Sequence, residues 1–165
     1  MKNIEFRRYD EQDLNFIHEL LSDEATKKYF PFMYTSDISQ SELRLKSRLA
    51  DDWFLLSKDD FHTLVILNEE KEPVGEISYH SVKDNYRTLE LAIIIHPKHR
   101  GQGYAKAATS KYIEKIRKRI RDVDRIRLLI EETNKSSRAV AQSLEFELKG
   151  RAGIKKTLEK WEKEI

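Results

Sequence analysis

Hydrophobic residues recur at two different spacings in the first part of the chain. Residues 3–9 alternate between apolar and charged side chains, which predicts a strand. Apolar residues then recur at helical spacing over residues 14–21. Asp10 can cap this helix, and an acidic residue three positions further on, Asp13, favours a helix start there. The pattern therefore predicts a strand followed by a helix.

An aromatic cluster at residues 29–34 separates this helix from a second, longer one. The second helix is predicted to begin at Asp37 or Ser39, either of which can cap it. Its apolar positions continue to Trp53, so we expect it to end between residues 52 and 58.

From His62 onward the spacing becomes typical of strands. Apolar runs at residues 64–67, 74–82 and 88–95 are separated by short polar turns. Consecutive strands joined by short turns predict an antiparallel meander.

Helices and strands alternate in the remainder of the chain. The predicted elements are a helix over residues 103–120, a strand over 126–131, a helix over 135–144 capped by Asn134, and a strand over 146–149. The tail, residues 150–165, is compatible with a last strand or a terminal helix. The order βααβββαβαβ predicts an α+β (mixed α/β) fold, in which residues 89–131 form a strand–helix–strand unit with a parallel strand pair.

Composition restricts the function classes. The 165 residues are predicted to form one domain, residues 1–165, and 31 basic and 29 acidic side chains give a net charge of +2, which does not favour nucleic-acid binding. The absence of cysteine excludes disulfides, thiolate zinc sites and a cysteine nucleophile, and no other metal site is expected. Met1–Asp10 lacks a signal-peptide core, and no apolar run approaches the roughly 18 residues of a membrane span. We expect a cytoplasmic protein with no membrane association.

The chemistry of the chain is concentrated in residues 89–108, where an apolar strand runs into a basic loop and then a helix. The loop sequence Arg100–Ala105 fits the pattern Arg/Gln-x-x-Gly-x-Gly/Ala. Gly101 and Gly103 let a ligand approach the backbone closely, and Arg100 adds positive charge. A diphosphate could be bound by the amides of Gly101, Gln102, Gly103, Tyr104, Ala105 and Lys106, at the positive end of the helix dipole. Taken alone, the loop is also compatible with a simple turn before a helix.

Further motifs accompany this loop at defined distances. They are Glu90-Leu91-Ala92, His96-Pro97, Asn134-x-x-Ser137, Phe146 and Gly150. With them, the sequence resembles the GNAT superfamily of acetyl-CoA-dependent N-acetyltransferases, in particular the ribosomal-protein N-terminal and polyamine acetyltransferase branch. The resemblance covers nearly the whole chain and is weaker in residues 22–60 and after Gly150.

The resemblance implies a fold and a cofactor site. The fold would be the acyl-CoA N-acyltransferase fold, a curved, mostly antiparallel sheet flanked by helices. A bulge in the strand before the loop, and splaying of the next strand, would open a V-shaped cleft. Acetyl-CoA would place its pantetheine arm along the backbone of Ile93, Ile94 and Ile95 and its diphosphate on residues 101–106 beside Arg100. Asn134 would face the pantetheine.

The resemblance also implies transfer of an acetyl group to a primary amine by direct attack in a ternary complex. The acceptor would be a protein N-terminus, a polyamine or another small amine. An amine with a pKa near 10 must lose a proton before it attacks, and Glu90 is our first candidate for the general base. Glu90 could alternatively be an ordinary solvated strand residue. Glu131, Glu132 and His80 are weaker candidates.

The leaving thiolate needs a proton or a hydrogen bond. Many family members use a tyrosine seven residues after the asparagine, where this chain has Ala141. Ser137 matches the serine that the ribosomal-protein branch uses instead. Ser137 could equally serve only to cap the helix after Asn134.

Several alternatives remain open at the level of sequence. The aromatic cluster could line an acceptor pocket or pack the first helix onto the sheet, and Asp51 and Asp52 could attract a cationic amine or form a solvated helix end. Basic residues between Lys111 and Arg127 favour a solvated helix face over a nucleic-acid site. The main competing function is a catalytically silent acyl-CoA-binding sensor. A homodimer is compatible with the branch.

Overall fold

The computed structural model describes residues 2–50, 62–82 and 85–165. Seven strands of these ranges form one sheet in the order β1-β2-β3-β4-β5-β7-β6. The strands are β1 (Glu5–Arg7), β2 (His62–Leu67), β3 (Pro73–Val82), β4 (Asn85–Ile95), β5 (Arg125–Glu131), β6 (Glu147–Ala152) and β7 (Leu158–Glu164). The helices are α1 (Leu14–Leu21), α2 (Glu24–Tyr29), α3 (Ile38–Ala50), α4 (Tyr104–Arg119) and α5 (Lys135–Ser143). The predicted mixed fold is confirmed.

The predicted cap at Asp10 is present. Its carboxylate accepts from the Gln12 amide at 2.8 Å, and the Asp13 carboxylate accepts from the Asp10 amide at 2.9 Å. This reciprocal capping box satisfies amide groups that a helix start leaves without partners, and α1 follows after one 3₁₀ turn. For α3, the Asp37 carboxylate accepts from the Gln40 amide at 3.0 Å. The predicted end of that helix, with Asp51, Asp52 and Trp53, lies outside the described residues.

The predicted meander and parallel pair are both confirmed. Strands β1 to β4 pair antiparallel in sequence order. Strand β4 pairs parallel with β5, but only where Thr88–Glu90 lie beside Arg125–Arg127. Beyond Glu90 the two strands separate, which opens the implied cleft.

The implied bulge in β4 is not found in its ladder with β3. The register is continuous from the pair Gly75 and Ile95 to the pair Ser81 and Leu89, and it shifts only between Ser81 and Val82. Separation of β5, not a bulge on that ladder, therefore accounts for the cleft. Close packing at the loop end of the ladder requires Gly75, where a Cβ would collide with the Ile94 carbonyl oxygen.

The C-terminal tail forms strand β7, which lies between β5 and β6. Its inner face carries the nearly buried Trp161 and Glu159. The Glu159 carboxylate accepts from Trp161 Nε1 at 3.0 Å and lies 3.0 Å from Nε of Arg138 on α5. Burying a carboxylate is costly without such partners, so these contacts fix the tail on the sheet.

Two apolar cores lie on opposite faces of the sheet. On one face α4 packs its apolar side, including Tyr112 and Ile116, against the strands. On the other face α1 and α3 cover β2 and β4, with Ile17 and Leu20 fully buried. Burying each such side chain contributes about 1.5–3 kcal/mol. No helix in the described ranges is both long and apolar enough to cross a bilayer.

Candidate active site

The cleft between β4 and β5 contains a cavity of about 460 Å³. Residues 91–95 of β4 form one wall and residues 128–131 of β5 form the other. The start of α4, the first turns of α5, and residues 25–30 in and directly after α2 contribute the other lining residues. A cavity of this size and apolar lining is typical of small-molecule sites.

The loop after β4 presents backbone amides to this cavity. Gly101 and Gly103 have φ values of 73° and 87°, a left-handed conformation that strongly favours glycine. A Cβ built on either glycine would meet no atom within 4 Å, so the space in front of them is open. Within the described part of the chain, the amides of residues 101–106 donate to no backbone or side-chain acceptor. Amides without partners at a helix start suit an anion such as a diphosphate.

Two predicted cofactor residues are engaged within the protein. Nε of Arg100 donates to the Ile95 carbonyl at 3.0 Å, and Nη2 donates to Asp23 at 2.7 Å. Arg100 lines the cavity, but its guanidinium donates hydrogen bonds to groups of the protein itself. The Gln102 side chain donates to the Lys98 carbonyl at 3.1 Å and is not part of the lining. The amides of the loop are therefore the main groups open to a phosphate.

The β4 edge beyond Glu90 has no strand partner on the side of β5. Ile93, Ile94 and Ile95 all lie along this edge and line the cavity. Backbone groups that lack a ladder partner need another one when they are buried, and an extended arm with amide groups can supply it. This geometry fits the pantetheine position that the resemblance implies.

Asn134 and Ser137 lie across the cavity from β4, at the start of α5. The Asn134 carboxamide oxygen accepts from the Ser137 amide at 3.2 Å and from the Ser136 hydroxyl at 3.0 Å. Asn134 is thus the cap of α5. The Ser137 hydroxyl takes part in no hydrogen bond among the described residues, so the serine has no capping role of its own.

Glu90 lies at the point where β4 and β5 separate. It is directly opposite His80 on β3 and Arg127 on β5. Its Oε1 is 3.5 Å from Nε2 of His80, and the Glu90 side chain is only 18% exposed. Burial raises the pKa of the Glu90 carboxyl above its usual range, while His80 and Arg127 lower it. Glu90 precedes the lining residues and does not itself line the cavity.

Arg127 acts on two carboxylates. It lowers the pKa of Glu90 through its charge, and it forms an ion pair with Glu162 on β7. Nε of Arg127 donates to Glu162 Oε1 at 2.9 Å, and Nη2 lies 2.8 Å from the same oxygen. A row of ionisable side chains therefore crosses four strands, from His80 through Glu90 and Arg127 to Glu162. In it, Glu90 is a partly buried carboxylate whose neighbours leave its pKa raised.

The other candidate bases differ in their surroundings. Glu131 lines the cavity, and its carboxylate accepts from the Thr157 hydroxyl at 3.1 Å. Glu132 is instead paired with Arg151. His96 is buried, its Nε2 is 3.1 Å from Glu19, and burial lowers its pKa despite that carboxylate. His96 therefore shapes the loop, whereas His99 lines the cavity.

Sequence reasoning missed α2, which contributes Ala25, Thr26 and Tyr29 to the lining and is followed by Phe30, which also lines the cavity. The signal was Asp23, whose carboxylate caps the helix by accepting from Ala25 at 2.9 Å and Thr26 at 3.4 Å. Six residues are too few for an apolar period to be evident. Two members of the aromatic cluster thus line the cavity, while Phe32 is 70% exposed.

A splayed β4–β5 pair, a glycine loop that opens a helix, and a cavity between them define the class of acyl-CoA N-acyltransferases. Residues 3–147 match the family described as acetyltransferase (GNAT) domain, and the chain belongs to this family. The protein is accordingly an N-acetyltransferase that uses acetyl-CoA.

Solved structures of low sequence identity share the fold. A GNAT-family acetyltransferase from Bacillus anthracis superposes with a TM-score of 0.78 at 18% identity, covering 100% of this chain and 96% of that one. Spermidine N-acetyltransferase from Vibrio cholerae, solved with CoA and spermine, gives 0.76 at 18% identity, covering 98% and 95%. An aminoglycoside acetyltransferase in complex with coenzyme A gives 0.75 at 14% identity, with the same coverage. No curated protein sequence matches significantly.

Proposed function

We propose that the protein transfers the acetyl group of acetyl-CoA to a primary amine by direct attack in a ternary complex. The observation that carries this proposal is the cleft itself. An unpaired strand edge leads from a half-buried carboxylate, Glu90, to a loop of amides without partners. The two ends suit an amine and a diphosphate.

Acetyl-CoA supplies the acyl group as a thioester, and the chain supplies the remaining functions. Residues 101–106 hold the diphosphate through their amides, and Ile93, Ile94 and Ile95 pair with the pantetheine arm. Asn134 borders the same arm from the opposite wall. The Arg100 guanidinium lies beside the loop, but its hydrogen bonds go to Asp23 and the Ile95 carbonyl, so the amides make the diphosphate contacts.

Glu90 takes the proton from the ammonium group of the acceptor through a bridging water molecule, since Glu90 precedes the residues that line the cavity. Because burial raises the pKa of Glu90, its carboxylate is a better proton acceptor than an exposed glutamate would be. His80, which is half exposed, lies 3.5 Å away and offers a path for the proton to solvent. The free amine then forms a bond to the acyl carbon, the carbon–sulfur bond breaks, and the proton that the new amide nitrogen loses passes to the departing thiolate. The Ser137 hydroxyl donates a hydrogen bond to that thiolate, in place of the tyrosine absent at Ala141.

The acceptor is a primary amine, with a polyamine and a protein N-terminus as the leading classes. Tyr29 and Phe30 give the cavity an apolar wall, and Glu131 adds a carboxylate that attracts a cation. The solved spermidine N-acetyltransferase with spermine is a neighbour of the same fold.

An amine panel tests the proposal. Release of CoA thiol should be measured with acetyl-CoA and polyamines, aminoglycosides, amino acids and peptides with a free N-terminus. We expect at least one amine to release thiol in step with its acetylation. If acetyl-CoA binds by calorimetry but no amine accelerates thiol release, the protein is an acyl-CoA-binding sensor instead.

A further inference from the structure

The loop after β4 contacts helices α1 and α2 through two sets of polar side chains. In one set, Arg100 forms an ion pair with Asp23, the cap of α2. In the other, Lys98 forms an ion pair with Glu19 of α1 at 3.3 Å, and His96 Nε2 lies 3.1 Å from the same carboxylate. Both sets connect the loop after β4 with helices that lie 70 or more positions earlier in the chain.

Of the two sets, the contact between Asp23 and Arg100 lies nearer the cavity, because Arg100 is one of its lining residues. Asp23 Oδ2 accepts from Arg100 Nη2 at 2.7 Å, with side-chain exposures of 19% and 37%. The same carboxylate caps α2, and the same guanidinium donates to the carbonyl of Ile95, the last residue of β4. One charge-assisted hydrogen bond thus connects the start of α2 with the end of the strand that borders the cavity.

Helix α2 has no extensive core of its own. Its one buried residue, Thr26, donates its hydroxyl to the Leu20 carbonyl at 2.8 Å. The cavity-lining residues Ala25, Tyr29 and Phe30 are only partly buried. A helix of six residues is unstable alone, so its position depends on tertiary contacts at its two ends.

We infer that Arg100 is a positioning residue that holds α2, and with it the acceptor wall at Tyr29 and Phe30, against the cavity through Asp23. The kinetic part of this inference rests on the proposed function. Binding of acetyl-CoA on the loop would therefore act on the acceptor wall as well. The guanidinium would then affect acceptor binding more than cofactor binding.

Two substitutions and one control separate this role from a phosphate contact. Asp23→Ser keeps a good helix cap, but its shorter side chain cannot reach Arg100. Arg100→Gln removes the other partner. Asp37→Ser is the matched control, because Asp37 caps α3 in the same way without an arginine partner.

Hydrogen exchange reports on α2 without requiring turnover. The Lys27 and Phe30 amides donate within α2, to the Asp23 and Thr26 carbonyls. We expect Asp23→Ser and Arg100→Gln each to speed exchange of these amides by about tenfold, and the double variant to be no faster. Asp37→Ser should leave them unchanged. Wild-type exchange rates in Asp23→Ser would overturn the inference.

Binding and kinetics complete the test. CoA affinity should change little and equally in Asp23→Ser and Arg100→Gln, while KM for the accepted amine rises about tenfold. A much larger loss of CoA affinity in Arg100→Gln than in Asp23→Ser would show that Arg100 acts on the diphosphate, which overturns the inference. If the wild-type protein acetylates no amine, the proposed function fails, and the exchange and CoA measurements still decide the role of Arg100.

Discussion

At the scale of single residues, Glu90 combines features of a structural and a catalytic carboxylate. Its Oε1 lies 3.5 Å from His80 Nε2, and Arg127 lies opposite it on β5, as for a structural residue, yet burial still raises its pKa. A carboxyl group whose pKa is raised by folding costs stability as the pH rises from its unfolded pKa to its folded pKa. Retention of a destabilising charge at the end of a cleft favours a functional role.

We predict that Glu90→Gln lowers the turnover of the accepted amine by about 10²–10⁴-fold. The variant should be at least as stable as the wild type at neutral pH, because the costly charge is removed. In the wild type, turnover should rise with pH through the raised pKa of Glu90, since only the carboxylate accepts a proton. The measurements are thiol release across pH and calorimetric unfolding.

Glu132→Gln is a suitable control for this prediction, because Glu132 lies near the cavity and pairs with Arg151. It should change neither turnover nor its pH dependence. Turnover within twofold of wild type in Glu90→Gln would rule out Glu90 as the base.

At the start of α5, the proposed catalytic role and the capping role belong to different side chains. The Ser137 hydroxyl is uncommitted in the described part of the structure, whereas Ser136 donates to the capping oxygen of Asn134. We predict that Ser137→Ala lowers kcat about 10²-fold without loss of stability. Asn134→Ala should cost about 1 kcal/mol of stability through loss of the cap.

Ser136→Ala serves as the control for kcat, since it removes an adjacent hydroxyl that is already bound. Equal kcat in the two serine variants would show that Ser137 does not assist the leaving thiolate. Thermal unfolding of each variant, followed alongside the rates, separates the two effects.

At the scale of elements, the loop between β4 and α4 depends on two left-handed glycines. Alanine at a left-handed position costs roughly 1–2 kcal/mol, whatever the space around it. We predict this cost for Gly103→Ala, together with weaker CoA binding, because the new methyl group occupies the open space before the amides. Calorimetry should show at least a tenfold loss of affinity.

Gly153→Ala is the matched control for the backbone effect. Gly153 has a φ of 79°, and its Cβ would make only an ordinary contact with Leu158, at 3.6 Å. It should lose similar stability and keep wild-type affinity for CoA. Equal CoA affinity in both glycine variants would contradict the assignment of the loop to the diphosphate.

The elements also show what could be predicted from the sequence. Long periodic helices, the meander, and the position of the glycine loop between β4 and α4 follow from local patterns, and the structure confirms them. Helix α2 and strand β7 could not be predicted reliably, because contacts distant in sequence determine them. Asp23, which caps α2, forms an ion pair with Arg100, and Glu159 of β7 forms one with Arg138. The same applies to the Glu90–His80 pair, which only the strand register brings together.

The orientation of Arg100 is the clearest example within the site. Its position in the loop motif predicts a phosphate contact, and the predicted charge is indeed beside the cavity. Its hydrogen bonds, however, go to Asp23 and Ile95, because α2 places a carboxylate within reach. The motif therefore predicts the position of Arg100, whereas its hydrogen-bond partners depend on residues that only the fold brings near it.

At the scale of the whole molecule, the cleft divides the sheet into two parts. Strands β1 to β4 form one part and β5, β7 and β6 form the other. Among the described residues, the ladder between the parts is confined to Thr88–Glu90 and Arg125–Arg127, with one further hydrogen bond from the Asp124 amide to the Arg87 carbonyl at 3.0 Å. Helix α4 crosses between the parts and packs on both within one core. A ligand between β4 and β5 would therefore join parts that the backbone joins weakly.

We predict that CoA at 100 times its Kd stabilises the protein by about 2.7 kcal/mol, which corresponds to a rise in Tm of roughly 5–10 °C. Amide exchange should slow together in residues 91–95 of β4 and residues 128–131 of β5, because the ligand contacts both walls. The Gly103→Ala variant at the same CoA concentration should show a smaller rise, since fewer molecules are liganded. Protection confined to one wall would mean that CoA does not bridge the cleft, and the placement of the pantetheine between β4 and β5 would then be wrong.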